Sequence, residues 1–249
     1  MRSIVKNKNT YFILGVLFIF VLWSIGAAYF KIDSIVPGVG KTFTSLFELL
    51  TEKHTYYVLG YTISRMVLST TICFVLGVLL AVISSISYKF KSFIKPIIVL
   101  LKTLPVAVVI ILLLFILDTN ALYYVVCVVV FPIIYEGSLN GLESIDKNII
   151  EEIKMDSSVN FTVIKDIYLP LTLPHIFTSL LQSFGLGLKA LVMAEFISNA
   201  KPSIGNEIIY YENYKSDMSY VFAWSIILVL LVLGIDLVIN ILKKRSLVN

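Results

Sequence analysis

Charge is scarce in this sequence. Only 14% of its 249 residues are Asp, Glu, Lys or Arg, about half the share that a soluble domain carries. With 58% hydrophobic residues and a mean hydropathy of +0.93, that scarcity excludes an ordinary cytosolic globule and a disordered chain. Cysteine and histidine are as rare, at two residues each. Cys73 and Cys127 both fall inside apolar runs, where they read as small core hydrophobes and not as a disulfide or a metal pair. His54 and His175 are too few for a His-rich metal centre. There is no G-x-x-x-x-G-K-[ST] nucleotide loop, no H-E-x-x-H and no paired-aspartate motif, so no catalytic residue, metal or cofactor is expected in this chain. Residues 1–120 and 121–249 show no convincing repeat, which disfavours a secondary carrier built from paired broken helices.

What the sequence has is six long apolar stretches: Tyr11–Phe30, about Val58–Ile86, about Ile97–Leu117, about Ala121–Tyr135, about Leu171–Ile197 and Tyr220–Leu242. A bilayer crossing takes about 20 residues, so the expected architecture is an all-α polytopic membrane protein of about six transmembrane helices. Residues 1–249 then form a single transmembrane domain in a lipid bilayer. The first stretch follows Arg2, Lys6 and Lys8 as a signal peptide would, but its run is too long and ends without a small-x-small site. A retained helix is expected.

The net charge of +4 would raise nucleic acid as a partner in a soluble protein. Here the basic residues sit at the ends of apolar runs, so topology explains them and no nucleic acid is expected. With the N-terminus inside, twelve Lys and Arg fall in inner segments and five in outer ones. The bias places both termini in the cytoplasm of a multi-pass plasma membrane protein. Outside the membrane, the helical spacing of Phe43, Leu46, Phe47, Leu49 and Leu50 predicts a surface-lying helix within Pro37–Thr55.

Ionisable residues within spans are costly and therefore informative. Lys189 and Glu195, six residues apart in the fifth stretch, are candidates for lining a path for a polar solute; the alternative is that they pair or snorkel for packing. Arg65 is expected to snorkel to the outer interface. Asp236 is expected to make structural hydrogen bonds or to pair with Lys243. Pro105, Pro132 and Pro174 are expected to interrupt helices.

The longest inner loop, residues 140–169, reads as two short helices. Asp146 can cap the first, with Ile149, Ile150 and Ile153 on one face. Ser157 and Ser158 can cap the second, which carries Val159, Val163 and Ile167 at four-residue spacing. Leu169-Pro170 ends it. Such a pair suits docking to a soluble partner; the bland reading is a solvated connection.

This loop resembles the EAA loop of ABC-transporter importer permeases, E-A-A-x3-G-x9-I-x-L-P. The register is Glu151, Glu152, Ile153, then Ser157, then Ile167, Leu169 and Pro170. Both alanines and the glycine are replaced. The resemblance extends over about residues 58–245. Lys102-Thr103-Leu104-Pro105, Phe131-Pro132, Gly141-Leu142, Leu173-Pro174, Ala194-Glu195 and Ile204-Gly205 are similar to the branch that imports nitrate, sulfonates, taurine and thiamine-precursor pyrimidines. The resemblance implies a type I permease subunit, not an enzyme. It implies a homodimer forming the translocation path, cytoplasmic ATPase subunits holding ATP-Mg and docking on the loop, and an extracytoplasmic solute-binding protein. The rival is an ATP-independent secondary transporter or channel.

Overall fold

The computed structural model describes residues 8–30, 35–146 and 168–246. Among them the regular structure is all helical: α1 (Lys8–Phe30), α2 (Val39–Thr51), α3 (Lys53–Ile86), α4 (Tyr88–Thr103), α5 (Val106–Leu117), α6 (Ala121–Glu143), α7 (Leu169–Ser198), α8 (Ile204–Ile209) and α9 (Met218–Ser246). Five stretches are long and apolar enough to cross a membrane: Thr10–Phe30, Lys53–Ile86, Val106–Glu143, Pro170–Ser198 and Met218–Arg245.

The third of these is not one straight helix. Val106 and Val129 line the same cavity, whereas a continuous helix would set them roughly 35 Å apart. The chain turns at Asp118, whose φ of 50° is left-handed, through a short 3₁₀ segment. It then folds α5 back along α6. The apolar stretch expected at Ile97–Leu117 is likewise divided. Leu104 and Pro105 are extended, with ψ of 130° and 122°, and part α4 from α5. At 12 residues, α5 reaches about 18 Å, short of the ~30 Å hydrocarbon core. The stretch expected at Ala121–Tyr135 instead runs on as helix to Glu143. Of the prolines expected to interrupt spans, only Pro105 does so; Pro132 and Pro174 lie inside α6 and α7.

The chain forms two compact units. The first comprises Met1–Tyr57 and Glu207–Val229. The helix expected within Pro37–Thr55 is α2, which buries Leu46 and Leu49 and leaves Phe47 exposed. Ser45 Oγ meets Ser219 Oγ at 2.7 Å, Lys41 pairs with Asp217 at 3.4 Å, and the rings of Tyr211 and Tyr220 stack at 4.3 Å. Trp224 is fully buried. Helix α1 is apolar on all sides and its hydrophobic window is unburied, the condition of a helix whose solvent is lipid.

The second unit comprises Val58–Asn206 and Leu230–Asn249. Its centre is the pairing of α6 with α7. Gly137 and Gly141, four residues apart on α6, make that approach close. A Cβ on Gly137 would lie 2.2 Å from Ser179 Cβ, and one on Gly141 would lie 2.9 Å from His175 Cβ. Met66, Ile110, Val126, Val130, Ile134 and Leu191 fill the surrounding core. The amphipathic α4 seats Ile94 and Ile98 beside Ala81, Tyr135 and Leu139.

Candidate functional site

Two helices of the second unit each present a stripe that borders open space at the edge of the core. On α6 it runs through Val129, Ile133, Glu136 and Asn140; on α7 through His175, Thr178, Gln182, Leu186, Lys189 and Met193. Steps of three and four residues keep each set on one helical face. With Leu101 and Lys102 at the end of α4, the stripes bound two cavities of about 420 and 220 Å³ that share Lys102 and Ile133. The larger is apolar apart from Lys102 and Lys189. The smaller is polar, with Glu136, Asn140, His175, Thr178, Ser179 and Gln182.

The ionisable groups on this face are placed by specific contacts. Lys102 Nζ donates to Glu136 Oε2 at 2.6 Å. Lys243 donates to Thr178 Oγ1 at 3.2 Å and so is engaged away from Asp236. His175 Nε2 lies 3.4 Å from Ser144 Oγ. Lys189 is exposed toward the larger cavity, and among the described residues no carboxylate pairs with it. It stands nine residues from the end of α7, about 14 Å along the axis.

Glu195, expected beside Lys189, is elsewhere. Six residues turn a helix by about 240°, which puts the two on different faces. Glu195 is 0% exposed. Arg65 Nη1 donates to its Oε1 at 2.9 Å, and Thr62 Oγ1 lies 3.0 Å from both carboxylate oxygens. The Gly205 N–H approaches Oε2 at 3.4 Å, and Arg65 also donates to the Pro202 carbonyl at 3.0 Å. Arg65 therefore does not snorkel. It is 9% exposed and turns inward because the buried carboxylate needs a cation. Gly205 leaves room for this junction: a Cβ there would lie 2.3 Å from the Phe196 nitrogen. The network pins Ala200–Asn206 against α3 and α7.

Glu151, Glu152, Ile153, Ser157 and Ile167 of the expected coupling loop lie outside the described residues. Leu169 and Pro170 are described, and they open α7, as suits proline in a first helical turn. Cys73 is buried and Cys127 half-buried, both unbridged. No group of three or more metal-capable side chains occurs among the described residues. Lys102, Glu136, Asn140, Thr178 and Gln182 were not singled out from sequence as site residues. The signal available was the recurrence of polar residues along one face of α7.

In the first unit, polar groups gather near the start of α3 and from α8 to the start of α9. His54 Nε2 lies 3.0 Å from Glu207 Oε1. Burial, reinforced by Glu52 and Glu207, pushes the Tyr211 hydroxyl up to about 12. Burial opposes charge on Asp217, yet hydrogen bonds from Ser219 and the Lys41 ammonium outweigh it and hold the carboxyl below its ordinary value.

Comparison with known proteins places this architecture. The chain is similar over 79% of its length, and over 99% of the other chain, to a structure of an inward-facing MetNI methionine ABC transporter, with a TM-score of 0.67 and 16% identity. A bacterial ABC transporter involved in import of the acidic polysaccharide alginate matches over 96% of this chain and 99% of its own, with a TM-score of 0.65 and 16% identity. At such identities the likeness is one of fold. No curated protein matches the sequence. The sequence model of one family, described as "Binding-protein-dependent transport system inner membrane component", matches residues 73–248. The chain belongs to that family and is a multi-pass ABC importer permease.

Proposed function

We propose that this chain forms the membrane path of an ATP-driven importer for a small solute. Its partner across the polar face of α6 and α7 is a second copy of itself. The observation that carries the reading is that face. Glu136, Gln182 and Lys189 stand on helices within stretches long enough to cross a bilayer, and with Lys102 at the end of α4 they border open cavities. Charged side chains there are costly against lipid and are found facing a bundle interior or water. A second permease would cover them and enclose an aqueous route.

Energy would come from two cytoplasmic ATPase subunits carrying ATP-Mg, docked on residues 140–169 with Glu151 at the contact. This chain would contribute no catalytic group of its own. A solute-binding protein would deliver cargo from outside, and both termini would be cytoplasmic. The sequence likeness to the nitrate, sulfonate, taurine and thiamine-precursor branch supports cargo of that size. Lys189 would line the path. Glu195 would serve it indirectly, by fixing Ala200–Asn206 through Arg65.

The test is a mild-detergent pull-down of the tagged chain from its native membrane. A stoichiometric Walker-motif ATPase in the eluate is expected. A chain that purifies alone even after crosslinking overturns the reading in favour of an ATP-independent carrier or channel.

A further inference from the structure

We propose that the larger cavity recognises an anion, and that Lys189 is the recognising group. The cargo would be a small solute with one negatively charged end and a short apolar body. This inference rests on the permease reading above.

The argument is one of charge balance inside a span. From sequence, Glu195 is expected to line the path together with Lys189, and a lysine neutralised by it would carry no selectivity. The fold removes that counter-ion, because Glu195 is buried on another face and bound to Arg65. The other carboxylate on the cavity face, Glu136, is bound to Lys102 at 2.6 Å. The charges facing the two cavities are therefore Lys102, Glu136 and Lys189, with Lys243 reaching Thr178 at the edge of the smaller one. The balance is positive, and Lys189 is its uncompensated member among the described residues.

Around Lys189 the wall is Leu101, Leu104, Val129, Leu186 and Met193. Such a wall offers an ammonium no acceptor. A cation is repelled there. An anion meets a charge-assisted donor and apolar surface for its tail. The volume of about 420 Å³ lies at the small-molecule end of ligand pockets.

The sign of the field can be read without knowing the cargo. Cys73 and Cys127 are replaced by alanine, and Leu186, which lines the cavity and is exposed, is changed to cysteine. The complex with its ATPase is reconstituted in phosphatidylcholine vesicles. Modification rates are measured with methanethiosulfonate-ethylsulfonate, an anion, and methanethiosulfonate-ethyltrimethylammonium, a cation. Their ratio is normalised to that for free 2-mercaptoethanol. The expected result is a ratio favouring the anion, falling on the order of tenfold when Lys189→Gln is added, as one nearby unit charge acting oppositely on the two reagents would give. Equal rates, a cation preference, or an anion preference untouched by Lys189→Gln overturns the inference and leaves the permease reading standing. A preference abolished by adding phosphatidylglycerol assigns the site to a lipid headgroup and overturns the solute assignment. A cysteine at 186 that reacts with neither reagent means that no aqueous path reaches it, and overturns both the anion site and the proposed path along α6 and α7.

Discussion

Removing Arg65 should do more damage than removing both members of its ion pair. Arg65→Met leaves a fully buried Glu195 without its cation. Losing one partner of a buried pair costs about 3–5 kcal/mol. The lower end applies here, because Thr62 Oγ1 at 3.0 Å and the Gly205 N–H at 3.4 Å still serve the carboxylate. The double variant Arg65→Met with Glu195→Leu removes the stranded charge, and a well-packed apolar replacement of a buried pair is often neutral. The double variant should therefore be more stable than Arg65→Met alone, with a coupling of about 2 kcal/mol or more in a double-mutant cycle. Intrinsic tryptophan fluorescence during heating in detergent gives the readout, since Trp224 is fully buried and its environment changes on unfolding. If the two losses simply add, or if Arg65→Met costs under about 1 kcal/mol, the network is not the junction described here.

Gly137→Leu should cost about 3 kcal/mol or more through overpacking, because even a Cβ would meet Ser179 Cβ at 2.2 Å; the monodisperse yield in size-exclusion chromatography should collapse, and a normal yield would deny the close α6–α7 approach. Lys102→Met should shift the melting temperature little, because the side chains of Lys102 and Glu136 are 46% and 38% exposed and exposed pairs contribute under about 1 kcal/mol. It should nonetheless alter uptake, so a stability loss without a transport effect would argue against a path-facing role. Asp217 is held below its ordinary pKa by Ser219 and Lys41, so its stabilisation is present above the unfolded value of about 3.9 and is lost as pH falls through the lower folded value. Asp217→Asn should accordingly melt below wild type at pH 7 and converge with it in strong acid; a gap independent of pH would mean the charge contributes nothing. Glu151→Arg should leave membrane insertion intact and abolish uptake, and normal uptake would remove Glu151 from the ATPase contact.

The helical class and most of the spans were legible because lipid imposes a simple rule: about 20 apolar residues in a row make a crossing. The rule failed where it is blind to dihedral angles. The break at Asp118–Asn120 was legible as the polar gap between the third and fourth stretches, whereas the shortness of α5 and the continuation of α6 to Glu143 were not. The amphipathic α2 was legible from the spacing of Leu46 and Leu49. At the site, Lys189 was legible as a costly charge, but its relation to Glu195 was not. The sequence placed both as candidates for lining the path, whereas Glu195 is buried against Arg65, 130 residues away. The Lys102–Glu136 pair, 34 residues apart, was hidden for the same reason. Which charges neutralise each other is a tertiary property, and it decides the sign of the cavity.

The measurement that bears most directly on the central claim is the mass of the intact complex released from its native membrane. The account predicts two copies of this 28.0 kDa chain together with two copies of an ATPase, because the charged face of α6 and α7 needs a second permease to cover it. One copy per two ATPases would contradict the shared path, and the chain alone at its own mass would contradict the importer.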